Sequence, residues 1–382
     1  MTIGRGSGLY GRKPGEAVGV GPVTVSRGSG LYGRIRGEAD RRTHGAVDRV
    51  GHMTGGRGSD RYGRNRGEAV RSGESASTEF VAADDGTLLA VREFDSPTAV
   101  LTIVFVHGHC LRGESWTDVC TRLRAYWADE VRMVHYDHRG HGESGAAHPA
   151  TYTIDQLARD LDAVLRAKVP DGPVVLIGHS MGAMVALAYA RLFPHMIGTR
   201  IAGLGLLAAA AGGITAVGLG RLLNPRAVAS LQLAVRRAPR FMHAWQRLSR
   251  TIAESIVRET RSGRPAGPRL VAAATVLLNE APLLTMACFL DSLMCFDETS
   301  TLTLLADLPV LVLGGSADLM IPFAHSVVLA SQLAAAELVR LDGAGHGVIL
   351  DRAAEVAPAV AALVDRVLGN AAGPIPDLAA AG

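Results

Sequence analysis

The stretch Val174-Val175-Leu176-Ile177-Gly178-His179-Ser180-Met181-Gly182 decides the fold of this chain. Four apolar, mostly β-branched residues run into Gly-x-Ser-x-Gly, and an apolar helix-like stretch, Ala183 to Leu192, follows at once. A chain with 45 glycines produces such a pentapeptide readily by chance, so its flanks carry the weight. Strand, tight turn, helix is the context of a nucleophile elbow, in which a serine sits at strained dihedrals with its hydroxyl clear of the sheet. Glycines two residues to either side keep side chains away from the neighbouring backbone.

Strands and helices alternate outward from this point. Thr78–Ala83 and Thr87–Phe94 flank Asp84-Asp85-Gly86 and read as a β-hairpin. Ala99–Val106 and Val131–Tyr136 read as buried strands, with an amphipathic stretch, Trp116–Trp127, between them. Thr153-x-x-Gln156 is a capping-box start for a helix running to about Lys168. Further strands are expected at Ile201–Ala208, Pro309–Gly314 and Glu337–Leu341, with a closing helix over Ala353–Leu368. The alternation predicts an α/β fold: a mostly parallel, doubly wound sheet with its ligands at the carboxyl ends of the strands. About a hundred residues of helical periodicity separate Ile201–Ala208 from Pro309–Gly314, including Arg237–Arg250, Thr251–Arg261 and Leu270–Phe296. They read as a helical cap inserted before the acid-bearing strand. Met286, Phe289, Leu290, Leu293, Met294 and Phe296 either line an acyl-sized apolar pocket there or pack the cap on the core.

Composition bounds the alternatives. The chain has 382 residues, 48% of them hydrophobic and 20% charged, enough for a substantial core. Residues 1–76 carry 14 Lys+Arg against 7 Asp+Glu, a net +7, which leaves −4 for residues 77–382 of a chain whose total is +3. The basic part is an imperfect repeat: RGSGLYGRKPGEAV at Arg5–Val18, RGSGLYGRIRGEAD at Arg27–Asp40 and RGSDRYGRNRGEAV at Arg57–Val70. Its spacing is too irregular for a stacked solenoid and its apolar content too low to offset ordering entropy, so a disordered arm is expected. Arg-Gly units with Tyr10, Tyr32 and Tyr62 have the character of an RNA-binding arm. The reading favoured here is a flexible tail, or translated sequence upstream of Met53. The expected organisation is thus the arm (1–76), α/β core first part (77–213), helical cap (214–300), core second part (301–370) and a flexible tail (371–382).

Cys110, Cys120, Cys288 and Cys295 show no metal-binding spacing and read as reduced, buried thiols. No secretory signal is visible, and a cytoplasmic location is expected. Ile201–Gly220 has no charge and the length of a membrane span. Its six glycines and its fit to a buried strand followed by a loop argue for the latter.

A serine hydroxyl needs a general base, and the base needs an orienting acid. His346, in Gly343-Ala344-Gly345-His346-Gly347 just after the last predicted strand, is the base candidate. His195 and His243 fall on predicted helices, and His325 is near a helix start. The acid follows partly by elimination, because no Asp or Glu occurs between Asp171 and Glu254. Asp318, in Gly314-Gly315-Ser316-Ala317-Asp318, lies at the carboxyl end of the next strand and completes the order Ser180, Asp318, His346. Asp342 is too close to His346 to be preferred. Backbone N–H groups of Met181, at a helix N-terminus, and His109, in His107-Gly108-His109-Cys110, are the expected oxyanion donors.

From Thr78 to about Leu368 the sequence resembles the α/β-hydrolase fold family, serine-nucleophile branch (esterase or monoacylglycerol-lipase-like). The ordered motifs are His107-Gly108, Asp137-His138-Arg139-Gly140-His141-Gly142-Glu143-Ser144, Gly178–Gly182, Gly315-x-x-Asp318 and Gly345-His346. The resemblance implies that Asp137–Ser144 is mainly structural, so His138, Arg139 and His141 are not assigned to catalysis. It also argues against branches that carry aspartate at the elbow. The expected function is hydrolysis of a carboxylic ester, lipid-like or small, through an acyl-serine. Thioesters or C–C bonds are alternatives for the same residues, and a non-catalytic binding protein or RNA binding through the arm is the alternative of another class. No cofactor or metal is expected. The expected partner is a small-molecule acyl ester; the acidic body argues against nucleic acid, and contact with a membrane surface stays open.

Overall fold

Strands β3 (Leu101–Val106), β5 (Val174–His179) and β7 (Val310–Gly315) are buried at every residue. Their unbroken apolar sequences require this, since a strand covered by helices on both faces has no solvated side to alternate toward. The computed structural model describes residues 77–127, 130–222, 224–237 and 282–371. Within them β1 (Glu79–Ala82), β2 (Leu88–Phe94), β4 (Val131–Tyr136), β6 (Ile201–Leu207) and β8 (Ala336–Leu341) complete an eight-stranded sheet of order β1-β2-β4-β3-β5-β6-β7-β8. The hairpin strand β2 pairs antiparallel with β1 and with β4; every other pairing is parallel. The mostly parallel sheet expected from the sequence is therefore present, with element ends shifted by one or two residues. The arm, the repeats and the expected helices across residues 238–281 lie outside the described residues.

Alternate side chains feed two apolar layers. Ile103, Phe105, Val175, Ile177, Leu311 and Leu313 meet Val119 and Leu123 of α1 (Thr117–Trp127) and Val356, Val360 and Leu363 of α8 (Ala353–Ala371). On the other face Val104, Val106, Leu176 and Val312 meet Leu157 and Leu161 of α2 (Ile154–Lys168) and Met184 and Leu187 of α3 (Met181–Leu192). Each fully buried Val, Leu, Ile or Phe contributes roughly 1.5–3 kcal/mol, against at most about 1 kcal/mol for a solvated ion pair. These layers, not the surface salt bridges, carry the sheet.

After β3 the chain builds β4 on one side and then returns to place β5 on the other, so β3 and β5 are neighbours across a topological switch point. The crevice at their carboxyl ends is where an open α/β sheet binds its ligands. The insertion between β6 and β7 contributes α4 (Pro225–Arg237) and α5 (Leu283–Met294), which pack on each other. Its two ends are clasped: Glu298 N–H donates to Ala211 O at 2.6 Å, and Gly212 and Asp297 form an antiparallel bridge. Helix α5 reaches the core through Phe289, and its Ser292 hydroxyl accepts the Ile154 N–H at the start of α2. Ile201–Gly220 forms β6, a loop and the start of a short 3-10 turn, Gly218–Leu222. Among the described residues no helix is long and apolar enough to cross a membrane.

Two expectations need correction. Thr153 caps α2 by accepting the Gln156 N–H at 3.1 Å, but the Gln156 side chain turns away to Asp84 and Asp160, so the box is half made. No disulfide joins the cysteines, yet only Cys120 and Cys288 are buried; Cys110 is half-buried and Cys295 exposed.

The loop after β4 is held by charge. Arg139, wholly buried, forks onto Asp160 with two bonds of 2.6 Å, and its remaining nitrogen, Nη1, reaches Asp85 and Thr151. Burial pushes the Asp160 carboxyl above its ordinary range, and Arg139 draws it only part of the way back. Asp137 accepts the Gly113 and Glu143 N–H groups, and Ser144 ties Asp137 O to Ala90 N. Removing one partner of a buried pair strands the other, at a cost of about 3–5 kcal/mol, whereas an apolar pair of similar volume does not. R139M should therefore lose about that much stability in urea unfolding at pH 7.5, and R139M/D160L markedly less. A double variant as unstable as R139M would show that lost packing, not a stranded charge, sets the penalty.

Candidate active site

Ser180 is the single residue between β5 and α3, at φ 53° and ψ −118°. A side-chain-bearing residue is strained there. Its N–H donates to Leu207 O at the end of β6, and its carbonyl accepts from Ala183 and Met184 in the first turn of α3. The flanking glycines are required by contact. A Cβ on Gly182 would collide with the Val106 carbonyl of β3, and one on Gly178 with the backbone of Ala183. Cys110 (φ 70°) and Ala208 (φ 48°) are the other non-glycine residues at positive φ among those described. All three lie at or just beyond the carboxyl ends of β3, β5 and β6.

The structure brings the three predicted side chains together. His346 Nε2 lies 2.9 Å from Ser180 Oγ, and His346 Nδ1 lies 2.7 Å from Asp318 Oδ2. A carboxylate only accepts, so Nδ1 carries the imidazole proton and Nε2 presents its lone pair to the serine hydroxyl. Asp318 is buried, and its other oxygen accepts the N–H groups of Met320 and Ile321. The turn-forming behaviour of Asp318 and its contact with histidine thus use different oxygens of one carboxylate. Asp342 instead points outward to Arg340.

Gly108 brings the loop after β3 against the serine: a Cβ there would lie 3.2 Å from Ser180 Cβ and 2.8 Å from His179 Nδ1. The next peptide N–H belongs to His109. Met181 N–H is in the first turn of α3, where no intrahelical acceptor exists. The His109 ring packs edge-on to Phe289 and bonds the Met286 backbone. Phe289 is fully buried among Tyr152, His109 and His141. With Leu293 and Phe296 it belongs to the core, so these three pack the insertion down rather than line an open pocket. Among the described residues no His/Cys/Asp/Glu group has the arrangement of a metal site. His195 is in a 3-10 turn, His325 in the first turn of α6 (Ala324–Gln332), and His243 lies outside the described residues.

Sequence reading missed the work of the neighbouring histidines. His138 N–H donates to His107 Nε2, and His138 Nε2 donates back to His107 O, both at 3.0 Å. His141 Nε2 accepts the Cys110 N–H, and His179 Nε2 donates to His346 O at 2.9 Å. Nothing in spacing reveals such pairs; the only signal was the density of histidine at strand ends. All are buried, as is His135. Burial is the leading cause that lowers the pKa of His107, His138 and His141, and it takes His135 to about 4 and His179 to about 3. The unfolded chain takes up protons as pH falls below the ordinary value near 6.5, while the folded rings stay neutral. Each such ring therefore removes about 1.4 kcal/mol of stability per pH unit over that window. The urea midpoint should be level above pH 7.5 and fall steadily from pH 6.5 toward 5. An unchanged midpoint at pH 5 would contradict neutral buried rings.

The profile of the alpha/beta hydrolase family matches residues 103–359. EphD of Mycobacterium tuberculosis, named as an oxidoreductase, is 33% identical over 115 residues, which are 30% of this chain and only 19% of EphD. RutD of Rhizobium rhizogenes, named as a carbamate hydrolase, is 28% identical over 264 residues, covering 68% of this chain and 90% of RutD. Among solved structures, a malate-bound thermophilic esterase from Thermogutta terrifontis superposes with a TM-score of 0.57 at 24% identity. That match covers 76% of this chain and 99% of the esterase, a likeness of fold. With well over half of its length matched by the family profile, the chain belongs to the α/β-hydrolase family and is an enzyme of that superfamily.

Proposed function

We propose that the protein is a serine hydrolase that cleaves carboxylic esters through an acyl-serine intermediate. The observation that carries this reading is the continuous chain Ser180 Oγ, His346, Asp318, with contacts of 2.9 and 2.7 Å, an arrangement that favours the tautomer a general base needs. Ser180 Oγ attacks the ester carbonyl while its proton passes to His346 Nε2. Asp318 stabilises the resulting imidazolium and keeps the ring in plane. Charge develops on the carbonyl oxygen, where the N–H groups of Met181 and His109 are the proposed donors, aided by the N-terminus of α3. Collapse breaks the bond to the alkoxide, which takes the proton from His346. Water, deprotonated by the same Nε2, then attacks the acyl-serine, and collapse returns the proton to Ser180 Oγ as the carboxylic acid leaves.

The full-length protein and S180A are to be assayed on p-nitrophenyl acetate, butyrate and octanoate, with a fluorophosphonate probe as a second readout. S180A should lose at least roughly 10⁴-fold in kcat and all labelling. D318N should lose a comparable factor, because an amide in place of the carboxylate favours the wrong tautomer of His346. An S180A protein that hydrolyses these esters at the parent rate would sink the proposal.

A further inference from the structure

The proposed reaction needs two loops to be placed correctly about Ser180: the one after β3 carrying His109 and the one after β8 carrying His346. Beside the serine itself, the side chain of His179 touches both. His179 immediately precedes Ser180, at the last position of β5, and is 2% exposed. Its Nε2 lies 2.9 Å from the carbonyl oxygen of His346, and its ring centroid lies 5.2 Å from that of His346. On the opposite edge its Nδ1 abuts Gly108, so closely that a Cβ there would come within 2.8 Å.

The contact with His346 falls between two backbone anchors of its loop. Upstream, the loop is tied by Gly343 N–H to Ser316 Oγ at 2.8 Å and by Ala317 N–H to Ala344 O at 2.9 Å. Downstream, Gly347 O accepts Leu350 and Asp351 N–H groups at the start of α7 (Val348–Asp351). Between these anchors stands Gly345-His346-Gly347, a segment whose glycines leave its backbone torsions wide open. The His179 bond to His346 O closes that gap. The acceptor is a carbonyl, so Nε2 must carry the proton, and the ring has no lone pair there to offer as a base. Its Nδ1 has no hydrogen-bond partner and faces the Gly108 backbone.

We infer that His179 is a positioning residue: through its Nε2–H bond to the His346 carbonyl it sets the backbone from which the His346 imidazole spans Ser180 and Asp318. This rests on the serine mechanism proposed above. A displacement of about 1 Å in a reacting group can lower turnover about 100-fold. Substrate binding, which does not use this bond, should be preserved.

The test compares two amides of different reach in the full-length protein. In His179→Gln the side-chain nitrogen stands where Nε2 stood; in His179→Asn it stops short of the His346 carbonyl. H179N should lose roughly 10–100-fold in kcat on p-nitrophenyl butyrate with little change in KM. H179Q should recover to within about threefold of the parent. The downfield proton resonance of His346 Nδ1–H, assigned by its absence in H346Q, should be broadened or shifted in H179N and restored in H179Q. Parental kcat and an unmoved resonance in H179N would overturn the inference, and so would equal losses in both amides. Either result combined with an inactive S180A leaves the serine mechanism standing, whereas an active S180A removes both.

Discussion

The chain passes from a buried strand to a buried helix across one residue, and this turn is the constraint on which the remaining structure depends. Ser180 at φ 53° is held in a sparsely populated region that costs about 1–3 kcal/mol. That strain persists because its surroundings leave no alternative. β5 is laddered to β3 and β6, residues Met181 to Ala190 of α3 are buried throughout, and Gly182 lies against the end of β3. Relaxing the turn would require moving a whole α/β layer. The serine is thus held at the carboxyl end of a central strand by the packing of two apolar layers, which is far more free energy than the strain it opposes.

Much of this was legible in the sequence because the decisive signals are local. Parallel strands buried on both faces appear as unbroken apolar runs, and β3, β5 and β7 were found within two residues of their ends. The Asp/Glu gap from Asp171 to Glu254 leaves no acid to follow β6 and so turned attention to Asp318, which lies 2.7 Å from His346. What stayed hidden depends on contacts between distant segments. β5 runs on to His179 because its ladder continues to Leu207, a fact of pairing rather than composition. Gln156 forsakes the capping box because Asp84 and Asp160 happen to lie beside it. Phe289 looked as suitable for an open pocket as for a core, and only the rings of Tyr152, His109 and His141 around it decide between them.

The histidines illustrate how burial changes the meaning of a residue type. In water an imidazole near its ordinary pKa is a proton shuttle. Here desolvation removes the charged form, and His107, His138 and His141 become rigid donors and acceptors that splint the loops after β3 and β4. His346 differs by keeping some solvent access and facing a carboxylate. Role therefore follows surroundings: the same ring serves as a strut where it is sealed and, in the proposed mechanism, as a base where it keeps some solvent access.

The clasp between Ala211 and Glu298, with its neighbouring Gly212–Asp297 bridge, separates two kinds of variation. To the sheet, the long excursion between β6 and β7 looks like a short crossover, because its entry and exit are stitched together before either reaches the strands. The entropy of closing a loop rises only logarithmically with its length. Segments between the stitches, apart from α5 with its core residues Phe289 and Leu293, can therefore be lengthened or shortened at little expense to the frame that holds Ser180 and His346. The molecule is in this sense a fixed socket with an interchangeable head, and the clasp is the collar at which one ends and the other begins.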